Sequence, residues 1–169
     1  MIKSEELRNE AIDYGLCEEW QKRFRRNATD QEMIELYKEG IDFCINHRFP
    51  SAEYIEKNFD KELLVDNGIF VNSTLERLPM CNNDKNEYVF VGSTKAKISI
   101  KGHRVVTLWL LDDSQVDVEI LDTSRASIRV YHNSKINVMN ASVNPVFCYK
   151  YVNDQKYRFE VNQRKKLKI

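Results

Sequence analysis

Two periods of apolar and polar residues run through the second half of the chain. Apolar side chains alternate with polar ones, and a unit of ten residues repeats over this alternation. Written from Lys97, the sequence falls into five rows: KISIKGHRVV, TLWLLDDSQV, DVEILDTSRA, SIRVYHNSKI and NVMNASVNPV. Alternation with a period of two is typical of a strand that buries one face. Each row therefore predicts one short strand followed by a turn.

Two folds are compatible with rows of constant length. A β-solenoid would place two rows, about 20 residues, in each coil and stack equivalent positions in columns. Ser114, Ser124 and Ser134 stand ten residues apart, each two positions before an apolar run, as stacked corners require. An antiparallel β meander tolerates this spacing but usually carries Asn-Gly or Asp-Gly at its reversals. We predict an α+β fold that ends in a small β-solenoid of ten-residue strand units, with the meander as the alternative.

Residues 1–68 follow the helical period instead. Thr29 and Glu32 have the spacing of a capping box, and apolar residues behind them recur at three and four positions. This pattern predicts one helix over about residues 30–46. Together with shorter periodic stretches on either side, it indicates a helical head of three or four small helices.

Caps and breakers mark the limits of the other helices. Ser4 is a candidate N-cap, Gly15 stands where a left-handed C-cap is expected, and Ser51 can cap a helix after proline. Asn67-Gly68 is either a hairpin turn or the end of the helical part. Residues 72–85, which include a proline and an Asn-Asn-Asp run, predict a linking loop.

Charge is segregated along a chain whose formal net charge is zero. Residues 1–68 carry a net charge of −6, residues 69–150 carry +2, and residues 151–169 carry +4. We therefore divide the chain into an acidic helical head, a β-repeat solenoid and a basic C-terminal strand or tail. A charged terminus of this size can be merely solvated or can contact an acidic partner or a nucleic acid.

One outer face of the predicted solenoid has the composition of a binding surface. In a coil of two rows, Trp109 stacks beside Arg129 and Leu111 beside Tyr131. Trp, Tyr and Arg are the residues most enriched at interface hot spots. We predict that these four residues bind a partner, unless the helical head covers them.

Two clusters of basic residues are the candidates for contact with nucleic acid. They are Lys22, Arg23, Arg25 and Arg26 in the head, and Arg164, Lys165, Lys166 and Lys168 in the tail. Phe24 adds a ring that could stack on a base. Because carboxylates are numerous nearby, surface charge on a helix is the alternative explanation of the first cluster, and we expect a protein or ribonucleoprotein partner rather than direct binding of nucleic acid.

Catalytic chemistry has weaker support. Asp112, Asp122 and His132 occupy one position of the repeat, and clustered carboxylates occur in solenoid enzymes that cleave sugars. Turn propensity explains Asp at such places without chemistry, and we count about three coils at most, too few for a long substrate groove. We predict no catalytic site, no metal and no cofactor, and keep a carbohydrate-active enzyme as the alternative.

The expected location is the cytoplasm. The four cysteines form no Cys-x-x-Cys pair, so we expect reduced thiols rather than a zinc site or a redox motif. The first residues lack the apolar core of a secretory signal, and no stretch has the apolar length of a membrane span.

Three stretches of the head support a resemblance. They are Leu16-Cys17-Glu18-Glu19-Trp20, the helix from Met33 to Cys44, and Phe49-Pro50-Ser51 through Tyr54-Ile55, followed by short β repeats. In this order of parts the chain resembles small uncharacterised accessory proteins carried on prophages and mobile elements of Bacteroidota. The resemblance comes with no catalytic motif and implies a setting rather than an activity. Accessory proteins in that setting often bind and block a host machine, such as an RNA-guided (CRISPR) defence nuclease, so we expect a non-enzymatic binding protein of this kind, with a structural phage component as an alternative.

Overall fold

The computed structural model describes residues 3–79 and 86–169. The chain divides into two compact units, Met1–Leu63 and Leu64–Ile169, with a boundary inside the last helix. The first unit is helical, and the second holds all of the described strands. This division lies five residues before the predicted end of the head at residue 68.

The helical unit contains short helices whose ends are set by local capping. They are α1 (Lys3–Asp13), α2 (Glu18–Arg23), α3 (Asp30–Glu39), α4 (Ile41–His47), α5 (Ala52–Asn58) and α6 (Lys61–Asp66). The predicted capping box is present at α3, where the Thr29 side chain accepts the N–H of Glu32 and the Glu32 side chain accepts the N–H of Thr29. Ser51 caps α5 as predicted, and Gly15 has a φ of +89°.

Two helix predictions were wrong. The predicted helix over residues 30–46 is broken at Gly40, which ends α3 and begins α4 with a φ of −96° and a ψ of 24°. A side chain at Gly40 would lie only 3.2 Å from the Leu36 carbonyl oxygen and 3.5 Å from the Trp20 ring. Ser4 lies inside α1, where its buried hydroxyl donates to the Arg26 carbonyl instead of capping the helix.

The second unit is a β-solenoid, as the repeat predicts, and the meander is excluded. Its strands are β1 (Ile69–Val71), β2 (Thr74–Leu75), β3 (Glu87–Val91), β4 (Lys95–Ile100), β5 (Val105–Leu110), β6 (Gln115–Ile120), β7 (Arg125–Val130), β8 (Lys135–Asn140), β9 (Val146–Val152), β10 (Gln155–Val161) and β11 (Lys165–Lys168). Strands two apart in sequence pair in parallel with a register of 20 residues, for example Ile98 with Val118 and Val118 with Val138. Two rows therefore form each coil.

Parallel pairing produces two sheets that enclose one core. Sheet A has the order β1-β3-β5-β7-β9-β10, and sheet B has the order β11-β8-β6-β4-β2. The chain crosses between them at every turn and completes about four coils, one more than expected from the sequence. Inward-facing columns such as Leu108 and Ile128 are fully buried, so burial of aliphatic side chains is the main stabilising contribution.

The corners of the coil explain the polar residues of the repeat. Asp112 and Asp122 both have a φ of +56°, a left-handed conformation that Asp tolerates better than most residues. Their carboxylates accept the backbone N–H of Gly92 and Gly102 in the preceding coil, at 3.0 and 2.8 Å. The aspartates therefore hold consecutive coils together.

Asn67-Gly68 ends the helical part and does not form a hairpin. Gly68 has a φ of +75°, and the strand after it, β1, pairs in parallel with β3. The predicted linking loop contains the short strand β2, while residues 80–85 of that loop lie outside the described residues.

The basic C-terminal segment is a pair of strands that joins both sheets. A two-residue turn at Asn153 and Asp154 reverses the chain, so that β10 runs antiparallel to β9 at the edge of sheet A. The chain then crosses to sheet B, where β11 runs antiparallel to β8. Leu167 and Ile169 pack against the core, so this segment closes the last coil.

Candidate functional site

The four residues predicted to bind a partner lie on the outer side of sheet A in the predicted register. Trp109 pairs with Arg129, whose guanidinium lies 4.3 Å from the centre of the Trp109 ring system. The Tyr131 ring stacks on Trp109 with centroids 6.1 Å apart. Trp109 and Leu111 are buried, with 5% and 4% of their surface exposed, whereas Arg129 and Tyr131 are partly exposed. Only the latter two can contact a partner directly in this conformation.

The outer side of sheet A continues past these residues with more rings and cations. Tyr149 on β9 pairs with Arg129 on one side and with Arg158 of β10 on the other. Tyr151 pairs with Lys156. We call this surface the aromatic–cation face, and it consists of Arg129, Tyr131, Phe147, Tyr149, Tyr151, Lys156 and Arg158.

Each ring of β9 has a flat side that is occupied by a neighbour. Tyr151 stacks on Tyr131 with centroids 4.3 Å apart and planes 7° from parallel. The Lys156 ammonium lies 4.3 Å from the centre of the Tyr149 ring, and the Arg158 guanidinium lies 4.7 Å from the Phe147 ring. Ring faces attract cations and other rings through their quadrupole. The rings are thereby held in fixed orientations.

Positive charge predominates on this face. Among the described residues, no carboxylate lies within ion-pair distance of Arg129, Lys156 or Arg158. The outward positions of β10 include a single acidic residue, Glu160, two residues beyond Arg158. The aromatic–cation face therefore presents a local excess of positive charge.

Sequence reasoning missed the residues of β9 and β10 for two different reasons. Tyr149 and Tyr151 lie 20 residues after Arg129 and Tyr131, so continuing the repeat by one coil would have found them. Lys156 and Arg158 belong to a strand that runs in the opposite direction, which the ten-residue period cannot place.

The basic cluster of the head is largely paired with acidic residues. Arg23 forms an ion pair with Glu39, Arg25 forms one with Glu32, and Arg26 lies 3.7 Å from Glu5. Lys22 is exposed. Contact of these residues with nucleic acid stays a prediction, but three of the four side chains already have carboxylate partners.

The basic cluster at the C-terminus lies in and beside β11. Arg164 has a φ of +61°, and its N–H donates to the Asn140 carbonyl at 2.6 Å. Lys165, Lys166 and Lys168 belong to β11, and the last two line a groove on sheet B that also contains Asp117 and Glu119. The groove thus mixes both signs of charge, unlike the aromatic–cation face.

Of the three residues of the carbohydrate-active alternative, Asp112 and His132 lie together and Asp122 lies apart from them. Asp112 lies at the turn from sheet A to sheet B, and Asp122 lies at the turn that returns to sheet A, on the opposite edge of the coil. His132 stacks one coil beyond Asp112, with its Nδ1 3.4 Å from the carboxylate and accepting the N–H of Asp112 at 3.1 Å. These side chains join coils and do not line a common groove.

The described cysteines are free thiols. Cys17 is exposed, whereas Cys44 and Cys148 are buried. Burial penalises the thiolate and raises the pKa of both buried thiols to about 12. Within residues 3–79 and 86–169, no group of His, Cys, Asp and Glu side chains is arranged to hold a metal ion.

Two findings complete the description. No helix in the described part of the chain combines the length and the apolar character needed to cross a membrane. Comparisons of the chain with protein-family models, with curated proteins and with solved structures found no match.

Proposed function

We propose that this protein is a non-enzymatic binding protein of the cytoplasm, in which the solenoid is a rigid platform and the aromatic–cation face contacts another protein. One observation carries the proposal: a partly exposed row of tyrosines lies beside three cations that form no ion pair with any carboxylate of the described residues. Tyrosine and arginine are enriched where interfaces derive most of their binding energy.

The rigidity of the platform supports this function. Rings and cations that are already held by their neighbours lose little conformational entropy when a partner binds. Tyr131 and Tyr151 are stacked, and Arg129 is held over Trp109. The buried Trp109, on the same side of sheet A one coil earlier, holds Arg129 and Tyr131 in place instead of making the direct contact expected from the sequence.

The setting of this binding activity rests on the resemblance to prophage accessory proteins. We propose that the partner is a protein or ribonucleoprotein of the host, such as an RNA-guided defence nuclease that the protein inhibits. Cleavage of target DNA by a purified nuclease of this class, measured with and without an excess of the protein, tests this part. Unchanged cleavage rates across the RNA-guided nucleases of the host would contradict it.

Affinity capture tests the binding face. Immobilised wild type and Arg129→Ala/Tyr149→Ala are compared in lysate of the host cells. The control is Lys97→Ala/Met139→Ala, which removes one cation and one partly buried side chain from sheet B. We expect a protein that the wild type and the control retain and the face variant loses. Equal capture by all three folded proteins would refute the role of the face.

A further inference from the structure

The edge strand of sheet A indicates which kind of partner segment the aromatic–cation face can bind. β10 is the last strand of sheet A, and no strand of the described residues pairs with its outer side. The strand has seven residues and is largely exposed. An exposed strand edge is a template for an additional strand.

Backbone groups of three alternate residues point to this edge. In a hairpin with a two-residue turn, the residues that flank the turn form a hydrogen-bonded pair, and bonded and non-bonded pairs then alternate. Val152 and Gln155 flank the turn here. Lys156, Arg158 and Glu160 therefore take non-bonded positions, and their N–H and C=O groups point away from β9.

Two of these three residues, Lys156 and Arg158, carry positive charge. The side chains of Lys156 and Arg158 place their cations on the aromatic–cation face. The residues whose backbone groups point to the open edge are therefore also residues with positive side chains on this face. Opposite charges directly across two strands stabilise their pairing, and like charges oppose it. A second copy of β10 paired antiparallel over its full length would place Arg158 opposite Arg158 and Lys156 opposite Glu160, whereas a strand with carboxylates opposite both Lys156 and Arg158 complements both cations.

The orientation of the rings distinguishes an acidic protein segment from nucleic acid. Bases bind to sheets by stacking on open ring faces. Here a cation or another ring already covers one side of Phe147, Tyr149 and Tyr151. The ring edges, which carry partial positive charge, the tyrosine hydroxyls and the cations can each interact favourably with an anion. Carboxylates suit all three of these groups.

We infer that the open edge of β10 binds an extended acidic segment of a protein partner, which adds a strand to sheet A and pairs its alternate carboxylates with Lys156 and Arg158. This inference rests on the proposed function and specifies the partner chemistry of the same face. In an antiparallel arrangement the residue opposite Glu160 is neutral or basic, because a third carboxylate there would be repelled.

A peptide titration followed by nuclear magnetic resonance tests the inference on the whole chain. The probe is a peptide of seven residues, the length of β10, in which Val alternates with Glu opposite Lys156 and Arg158 and with Gln opposite Glu160. It is compared with the same peptide N-methylated at alternate amides and with a single-stranded RNA oligonucleotide. We expect the amides of Lys156, Arg158 and Glu160 to shift and to become protected from hydrogen exchange. The amides of Tyr157 and Phe159 should be protected before the peptide is added.

A charge variant and a matched control complete the test. Lys156→Gln/Arg158→Gln should weaken peptide binding roughly fivefold to twentyfold, through the loss of two cross-strand charge pairs. Lys95→Gln/Lys97→Gln removes two cations from alternate positions of β4 and should leave the affinity unchanged. N-methylation of the amides that face β10 should abolish the exchange protection, because it removes the donors of the added strand.

Three outcomes would overturn the inference. They are the absence of any shift on β10 with the acidic peptide, equal affinity for Lys156→Gln/Arg158→Gln, and shifts at Tyr149 and Tyr151 with RNA alone. The proposed function fails separately, when capture of a host protein is indifferent to Arg129→Ala/Tyr149→Ala. A face that captures a host protein without binding the acidic peptide would leave the function standing and remove this partner chemistry.

Discussion

Two chemically identical substitutions in adjacent coils should have opposite effects on stability. Ser114 and Ser134 are both fully buried at equivalent corners of the solenoid, 20 residues apart. The Ser134 hydroxyl lies 3.0 Å from the Leu110 carbonyl oxygen and 2.5 Å from that of Tyr131. Among the residues that the structure describes, the Ser114 hydroxyl has no hydrogen-bond partner. Ser134→Ala therefore removes a buried hydrogen bond, whereas Ser114→Ala removes a buried polar atom that is unsatisfied.

The magnitude of each effect follows from these contacts. A buried hydrogen bond contributes about 1 kcal/mol to stability. Both carbonyls that Ser134 contacts also accept a backbone N–H, from Tyr131 and from Ser134 itself, so Ser134→Ala leaves neither without a donor. We expect Ser134→Ala to lower the free energy of unfolding by about 1 kcal/mol. Ser114→Ala should raise it by up to about 1 kcal/mol, because burial of an unpaired hydroxyl is unfavourable.

Urea denaturation of wild type, Ser114→Ala and Ser134→Ala measures these changes in the free energy of unfolding. The dependence of that free energy on urea concentration should be the same for all three proteins. Thermal unfolding should agree, with about 2–4 °C between midpoints for each kcal/mol in a chain of this size. Equal destabilisation by both substitutions, or greater destabilisation by Ser114→Ala, would refute the assignment of the hydroxyl contacts.

Two further predictions concern the buried thiols and the last strand. Because burial raises the pKa of Cys148 to about 12, its thiol stays neutral in the folded protein at mildly alkaline pH. We therefore expect iodoacetamide to label the exposed Cys17 in the folded protein and to label Cys148 only after unfolding. Mass spectrometry of peptides measures both reactions. Leu167→Ala should lower the free energy of unfolding by about 1–2 kcal/mol because Leu167 packs against the solenoid core. The neighbouring Lys166 is exposed, so Lys166→Ala should change the free energy of unfolding by less than about 0.5 kcal/mol in the same denaturation assay.

The solenoid could be predicted because its parallel pairing leaves a direct trace in the sequence. Stacking of coils places equivalent residues, such as Val118 and Val138, 20 positions apart in the sequence. Every ten-residue row must therefore have the same length. The helix ends were predictable where capping is local, as at Thr29, and not where the cause is tertiary. Gly40 breaks a periodic stretch beside the ring of Trp20, which is 20 residues away in sequence.

The candidate site could be predicted only in part, for a related reason. Register alone placed Arg129 beside Trp109, but pairing of strands does not reveal whether a ring is exposed. The cations of β10 reach this face through an antiparallel reversal at Asn153, which ends the repeat. The basic tail identified in the sequence therefore forms an edge strand of each sheet, β10 in sheet A and β11 in sheet B.

Photo-crosslinking from single positions is the most direct test that the aromatic–cation face contacts another protein. A photoreactive phenylalanine analogue is placed at Tyr149 on sheet A or, as the control, at Met139 on sheet B, and the cells are irradiated. Both side chains are partly exposed and lie on adjacent coils. We predict a covalent adduct with a host protein from position 149 and none from position 139. Adducts from position 139 alone, or the same adducts from both positions, would contradict the assignment of the binding face.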